Sequence, residues 1–299
     1  MNNSHKEIAM SNFLKPEVFP FFDKQTSTFS YIVKDPASSA CAVVDSVMNL
    51  DYNAGRISYT SADEIIAYIR KHKLDLQWLI ETHVHADHLS AAPYIQRALG
   101  GKLGIGSHIT TVQNLFGKVF NEGTEFACDG SQFDHLFEDG DSYQIGNLQA
   151  TAIHTPGHTP ACMTHLIGDA AFVGDTLFMP DGGTARADFP GGDARVLFHS
   201  IKKLLSLPGE TRLFMCHDYQ PNGREVEYET TVAAEKASNI HVHDGITADE
   251  FVSMRETRDA TLDMPVLILP SLQVNMRAGH FPPAEDNNMI YLKVPINAL

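Results

Sequence analysis

Short apolar runs alternate with amphipathic stretches along most of this chain, and several of the apolar runs stop abruptly at aspartate or histidine. Residues 29–33 and 41–44 read as strands, the second ending at Asp45. Ser61-Ala62-Asp63-Glu64 has capping-box spacing and predicts a helix over 65–72. Residues 76–81 predict the next strand, and 89–99 a helix that stops at Gly100-Gly101. In the second half, 148–154 alternates like a strand, and 163–167 with 170–173 reads as a hairpin around Gly168-Asp169. A helix over 196–205 and a short strand over 213–216 follow. Another capping box, Thr247-Ala248-Asp249-Glu250, opens a helix to about residue 262, and proline-punctuated segments close the chain. The expected division is a main domain over 1–240 and a C-terminal extension over 241–299 packed on it.

The strand ends carry the chemistry. Trp78-Leu79-Ile80 runs into Thr82-His83-Val84-His85-Ala86-Asp87-His88, four potential metal ligands in six consecutive positions. Histidine is the commonest metal ligand and aspartate adds a hard oxygen. Alternate residues of extended backbone point the same way, so His83 and His85 can face one site. Three later strand ends each present another ligand: His158 after Thr155-Pro156-Gly157, Asp175 after Gly174, and His217 after Cys216. Such ligands converge when their strands share one sheet edge.

Composition narrows the partners. A formal net charge of −15 disfavours nucleic acid and anionic membrane. No apolar run is long enough for a membrane span, and the first residues lead into no signal-peptide-like stretch. Cys41, Cys128, Cys162 and Cys216 are scattered without a CxxC pair, which makes disulfides or structural zinc weak readings and a reducing cytoplasm the simplest compartment. His241-Val242-His243 has no partner cluster and reads as a solvated turn; His165 reads as a core histidine. His5, His72, His108, His135, His199 and His280 are isolated, with surface or packing roles.

The series His83-x-His85-x-Asp87-His88, His158, Asp175, His217 resembles the metallo-β-lactamase superfamily over roughly residues 20–240. The resemblance implies an α/β (α+β) fold, an αββα sandwich with a short C-terminal appendage and a metal site at one edge of two packed sheets. Finer motifs resemble the persulfide (sulfur) dioxygenases: Gly157-His158-Thr159-Pro160, Gly174-Asp175-Thr176-Leu177, Arg186-x-Asp188-Phe189, Cys216-His217-Asp218-Tyr219, and the segment Pro270-Ser271-Leu272-Gln273-Val274-Asn275-Met276-Arg277. That likeness implies one iron(II) per chain held by His83, His158 and Asp175. His85, Asp87, His88 and His217 then orient ligands and waters. The implied reaction oxidises a low-molecular-weight persulfide, glutathione persulfide foremost, with O2 to sulfite and free thiol. Arg186 would face the thiol substrate and Tyr219 the iron-bound ligand, and a homodimer is implied. For Arg186 the competing reading is a salt bridge to Asp188 or Asp193, and for Tyr219 a packed wall residue. All seven positions for two zinc ions are also present, which keeps open a dinuclear zinc thioesterase of the glyoxalase II kind. A non-catalytic sensor of metal or persulfide is the third reading.

Overall fold

The computed structural model of the chain describes residues 14–298. The readings of the first residues as lacking a leader, and of His5 as isolated, lie outside them. The first half is built from β1 (Glu17–Asp23), β2 (Thr28–Lys34), β3 (Ala40–Val44), β4 (Val47–Asp51), β5 (Arg56–Ser58), α1 (Thr60–His72), β6 (Asp75–Ile80), β7 (Leu89–Ser90), α2 (Ala92–Leu99), β8 (Lys102–Gly106), α3 (Ile109–Val119) and β9 (His135–Phe137). The second half adds β10 (Ser142–Ile145), β11 (Leu148–His154), β12 (Met163–Ile167), β13 (Ala170–Phe172), α4 (Ala194–Leu204), β14 (Arg212–Phe214), β15 (Glu229–Thr231), α5 (Val232–Ser238), α6 (Ala248–Asp259) and α7 (Ile268–Asn275).

Two six-stranded sheets, in the orders β1-β2-β3-β6-β8-β9 and β10-β11-β12-β13-β14-β15, pack face to face. Their period-2 alternation sorts the side chains. Phe29, Tyr31 and Val33 of β2 point between the sheets, where they meet Phe172 and Phe214, while Ile32 faces the opposite layer. On that outer side Ile65, Ile69, Ile95, Val112 and Phe116 bring α1, α2 and α3 onto the first sheet. Leu197, Ile201 and Phe251 do the same for α4 and α6 on the second. The layers are therefore α, β, β, α, as the resemblance implies. A small sheet, β5-β4-β7, lies beside them.

Several boundaries differ from the sequence expectation. The capping box at Ser61 does not form: α1 starts at Thr60, and no side chain caps it. Instead the Ser61 hydroxyl donates to Asp23 Oδ2 at 2.8 Å, so a long-range partner outcompetes the local one. Leu89 and Ser90 are strand rather than helix because they pair with Met48 and Val47, and α2 begins at Ala92 with a proline in its first turn. The second box does form: Thr247 and Glu250 bond reciprocally at the start of α6, which ends at Asp259, before residue 262. Residues 268–275 are helical.

His165 is buried between the sheets, its Nδ1 2.9 Å from the Tyr143 hydroxyl. Burial pushes its imidazole down to about 4. Unfolded chains take up this proton near pH 6.5 and folded ones only near 4, so stability falls as pH drops through that window. His165 alone removes up to about 3 kcal/mol there. Urea unfolding midpoints measured from pH 7.5 to 4.5 are expected to fall less steeply for His165→Gln than for the parent.

Candidate metal centre

Four strands deliver their C-terminal ends to one edge of the sandwich. β6 leads into Glu81–His88, β11 into His158, β13 into Asp175 and β14 into His217. The two sheets are stitched together at this edge: Phe29 N–H donates to the Cys216 carbonyl at 2.7 Å, and Thr28 bridges to His217. Glycine is required beside two of the ligands. At Gly157 (φ +133) a Cβ would lie 2.3 Å from Leu197 backbone atoms, and at Gly174 (φ +52) one would lie 2.7 Å from Thr82 Oγ1.

His83, His85, His88, His158, His217 and Asp175 are all buried. His83, His158 and Asp175 form one set: Asp175 Oδ2 lies 3.9 Å from His83 Nε2 and 3.5 Å from His158 Nε2. The other carboxylate oxygen, Oδ1, lies 3.3 Å from His217 Nε2. Asp87 Oδ2 is 3.4 Å from His217 Nε2 and 3.4 Å from His88 Nδ1. Two ligands about 2.1 Å from a common ion stand roughly 3.0–3.5 Å apart; all of these spacings are of that size except His83 to Asp175, which is wider at 3.9 Å.

The protein fixes which nitrogen is free. The Arg186 carbonyl can only accept, so it takes His158 Nδ1–H at 2.8 Å. The Ser27 carbonyl takes His217 Nδ1–H at 3.2 Å. Thr82 spends its hydroxyl proton on Asp45 Oδ2 (2.9 Å), so its lone pair accepts His83 Nδ1–H at 3.0 Å. In each ring the lone pair is left on Nε2. His85 is reversed: its Nε2–H goes to Asp45 Oδ1 at 3.0 Å, leaving Nδ1. The nitrogens so freed on His83, His85 and His217 are buried without any hydrogen-bond partner, as are His88 Nε2 and Asp175 Oδ1. So many orphaned buried acceptors at one point fit a metal centre and little else.

The rings differ in charge. Burial, and then the neighbouring His85 and His158, hold His83 well below the ordinary histidine range, neutral as a ligand must be. Burial opposes a charge on His85 too, but Asp45 and Glu81 overcome it and hold that ring above its usual value. Burial likewise raises Glu81, whose Oε1 accepts from Ser90 at 2.7 Å.

Asp87, His158 and Asp175 open into a cleft of about 1070 Å³. Arg186 and Tyr219 line it. Tyr219 is 61% exposed and stacks on His217 with ring centroids 5.7 Å apart. Arg186 is committed to Asp188, at 2.6 and 2.7 Å. His241 is not in a solvated turn: it is buried, with Nδ1 accepting the Thr184 amide at 3.0 Å. Sequence reasoning missed Asp45, Glu81 and Asn275. The first two do carry a signal, an acid ending a strand that lies parallel to the metal strand, and an acid just before the histidine cluster.

A family model described as the metallo-beta-lactamase superfamily matches residues 24–217. The chain belongs to this superfamily. It is 57% identical over 289 residues to a "Probable metallo-hydrolase" of Burkholderia pseudomallei (93% of this chain, 98% of the relative). It is 49% identical to "Glyoxylase B2" of Dictyostelium discoideum (97% and 99%) and 29% identical to "Persulfide dioxygenase ETHE1, mitochondrial" of Homo sapiens (86% and 87%). Among solved structures, ETHE1 from Myxococcus xanthus superposes with a TM-score of 0.71 at 27% identity, covering 88% of this chain and all of that one. No helix among the described residues is long and apolar enough to cross a membrane.

Two substitutions test the support around the site. Asp45→Ala removes the acceptor shared by Thr82 and His85, and metal affinity measured by chelator competition is expected to fall about 10–100-fold. Asn275 in α7 donates to the His85 and His88 carbonyls (2.9 and 2.8 Å) and accepts from Ser90 N–H (2.8 Å). Asn275→Ala is expected to lose about 2–3 kcal/mol in denaturant unfolding.

Proposed function

We propose that this chain is a persulfide dioxygenase that uses one iron(II) to oxidise a small persulfide, glutathione persulfide foremost, with O2 to sulfite and free thiol. The observation that carries the reading is the set His83, His158 and Asp175 at the base of the cleft, in a chain that covers the whole of the Myxococcus ETHE1 fold. Two histidines and one carboxylate on one face are the ligand set of non-haem iron(II) oxygenases, with positions left for substrate and oxygen. Iron so held would supply the redox chemistry of dioxygen transfer to sulfur. The protein's own part is binding and orientation. His158 and Asp175 line the cleft, His83 is buried beside Asp175, and the buried carboxylate of Asp45 holds the Thr82 amide at the start of the loop. Tyr219 lines the cleft wall, and its hydroxyl would donate to a bound substrate oxygen or sulfur. Residues 1–240 are then the catalytic unit, and 241–299 an extension that completes its cleft.

A second reading has its own support. Asp175 turns its two oxygens to two different ligand groups, the arrangement of a carboxylate shared by two metals. Here His83, His85 and His158 would hold one zinc and Asp87, His88 and His217 the other, for thioester hydrolysis by a metal-activated water. The likeness to Glyoxylase B2 agrees with it. Metal analysis of protein purified without added metal, with oxygen uptake on glutathione persulfide, separates the two. About one iron per chain and persulfide-dependent uptake are expected. Two zinc ions, no uptake and cleavage of a glutathione thioester would overturn the dioxygenase reading.

A further inference from the structure

A second, smaller cavity lies beside the metal-bearing loops. Its volume is about 20 Å³, a little above the roughly 10–15 Å³ that admits one water-sized molecule. Val84 and Ala86, which interleave with His83, His85 and Asp87, form one side, and Val112 and Phe116 of α3 with Ile268 and Leu272 of α7 form most of the rest. All six are buried. Ala86 and Phe189 line both this cavity and the cleft, so they form the partition between the two. Phe189 also packs against His158, with ring centroids 5.3 Å apart. On the outer side stand Thr159, Pro160 and the exposed Pro190.

The polar groups on that outer side are already committed. Thr159 supplies the one polar side chain of the lining, and its hydroxyl is spent within its own turn, 3.0 Å from Cys162 Sγ and accepting the Ala161 amide at 3.3 Å. The Thr159 carbonyl accepts Gly157 N–H at 3.1 Å, and the Pro160 carbonyl accepts His154 Nε2–H at 2.9 Å. Neither proline has an N–H to offer. A buried water needs several polar partners, so a space lined in this way holds water poorly and suits a small apolar molecule. The cleft on the other side of Phe189 is polar, lined by Asp51, Asp263 and Arg186 among others. An apolar gas favours the cavity over the cleft.

We propose that this cavity is a dioxygen site, from which the gas reaches the metal centre past Phe189 by a route separate from the cleft. Dioxygen as the occupant rests on the reading given under Proposed function; a site for a small apolar molecule does not. The test uses dioxygen itself as the probe, on the methyl-labelled full chain loaded with zinc, which is diamagnetic. Under raised oxygen pressure the methyl signals of Val84, Val112, Ile268 and Leu272 are expected to shift and broaden more than those of Ile65 and Ile69, which are at least as deeply buried but do not line the cavity. Val112→Leu adds one methylene to the lining. The oxygen effect at Val84 and Leu272 should then be lost, and in the iron-loaded chain the KM for dioxygen should rise about threefold with kcat at saturating oxygen unchanged. Phe116→Leu enlarges the space and should keep the oxygen effect without raising that KM. Unchanged metal content and thermal midpoint would exclude a folding defect. No preference for the lining methyls in the parent, persistence of the effect in Val112→Leu, or its loss in Phe116→Leu would overturn the site. A Val112→Leu chain that loses the effect yet keeps the parental KM for dioxygen would overturn the route. Oxygen uptake on glutathione persulfide is scored separately on the parent. Its absence alongside the expected methyl pattern sinks the dioxygenase and the route and keeps an apolar site, whereas uptake without that pattern keeps the dioxygenase and sinks the site.

Discussion

Asp45 is the interaction on which the site depends. It ends β3 in a left-handed backbone conformation (φ +50), buried to 2%. From there its carboxylate accepts the Thr82 amide at 2.8 Å, the Thr82 hydroxyl and the His85 ring. A non-glycine residue at that φ costs on the order of 1 kcal/mol, and a buried unpaired carboxylate would cost more. Three donors offset both. In return the loop after β6 is clamped at its start, and the tautomer of His83 is set through Thr82. Burial works against ionisation of Asp45, but His85 and the Thr82 donors hold its carboxyl below the usual range. The same contacts that stabilise this charge orient the ligands.

Much of this was legible in the chain. The apolar runs at 29–33 and 41–44 became strands buried on both faces, because a sheet between its partner sheet and a helical layer needs both faces apolar, while 148–154 buries one face and leaves Gln149 exposed on the other. The cluster of candidate ligands was legible because histidine and aspartate directly after such runs have no packing reason to be there. What could not be read were features decided by distant partners. Ser61 looks like a helix cap by local spacing, yet Asp23 and Asn49 claim its hydroxyl. Leu89 and Ser90 look helical, yet Met48 and Val47 recruit them into a sheet. His241 looks like a solvated residue in a polar turn, yet the Thr184 amide lies within reach and buries it. In each case a tertiary contact overrides a local preference, which no window of sequence contains.

The segment beyond residue 240 shows the same dependence at larger scale. Asn275 satisfies two carbonyls in the metal-bearing loop, and these buried groups have little else to bond. Arg255 and Asp259 form a buried pair that also holds Thr184 and the amide of Ala187. Arg277 pairs with Glu122 and lies 4.2 Å above the Phe126 ring, tying the end of α7 to the region after α3. These are buried contacts whose loss leaves uncompensated polar groups, so the metal loop and cleft wall are held from outside the two sheets.

That arrangement divides the labour of the cleft. Its base is rigid because each ligand sits on a loop fixed at both ends, by a strand on one side and by a glycine-dependent close contact or a hydrogen-bonded turn on the other. Rigid ligands with preset tautomers need little reorganisation when an ion enters. The wall, by contrast, is assembled from α6 and the segment after it, where committed arginines hold shape. The candidate ligands are thus held by the sandwich, and much of the cleft wall by the C-terminal segments. The C-terminal helices also reach the candidate ligands directly, through Asn275 on the His85 and His88 carbonyls, and the cleft wall reaches them through the carbonyl of Arg186 on His158. That one carbonyl joins the two parts: its guanidinium is pinned to Asp188 and residues 262–263, and its main chain to a ligand. Arg186 thus keeps the wall and the base in register.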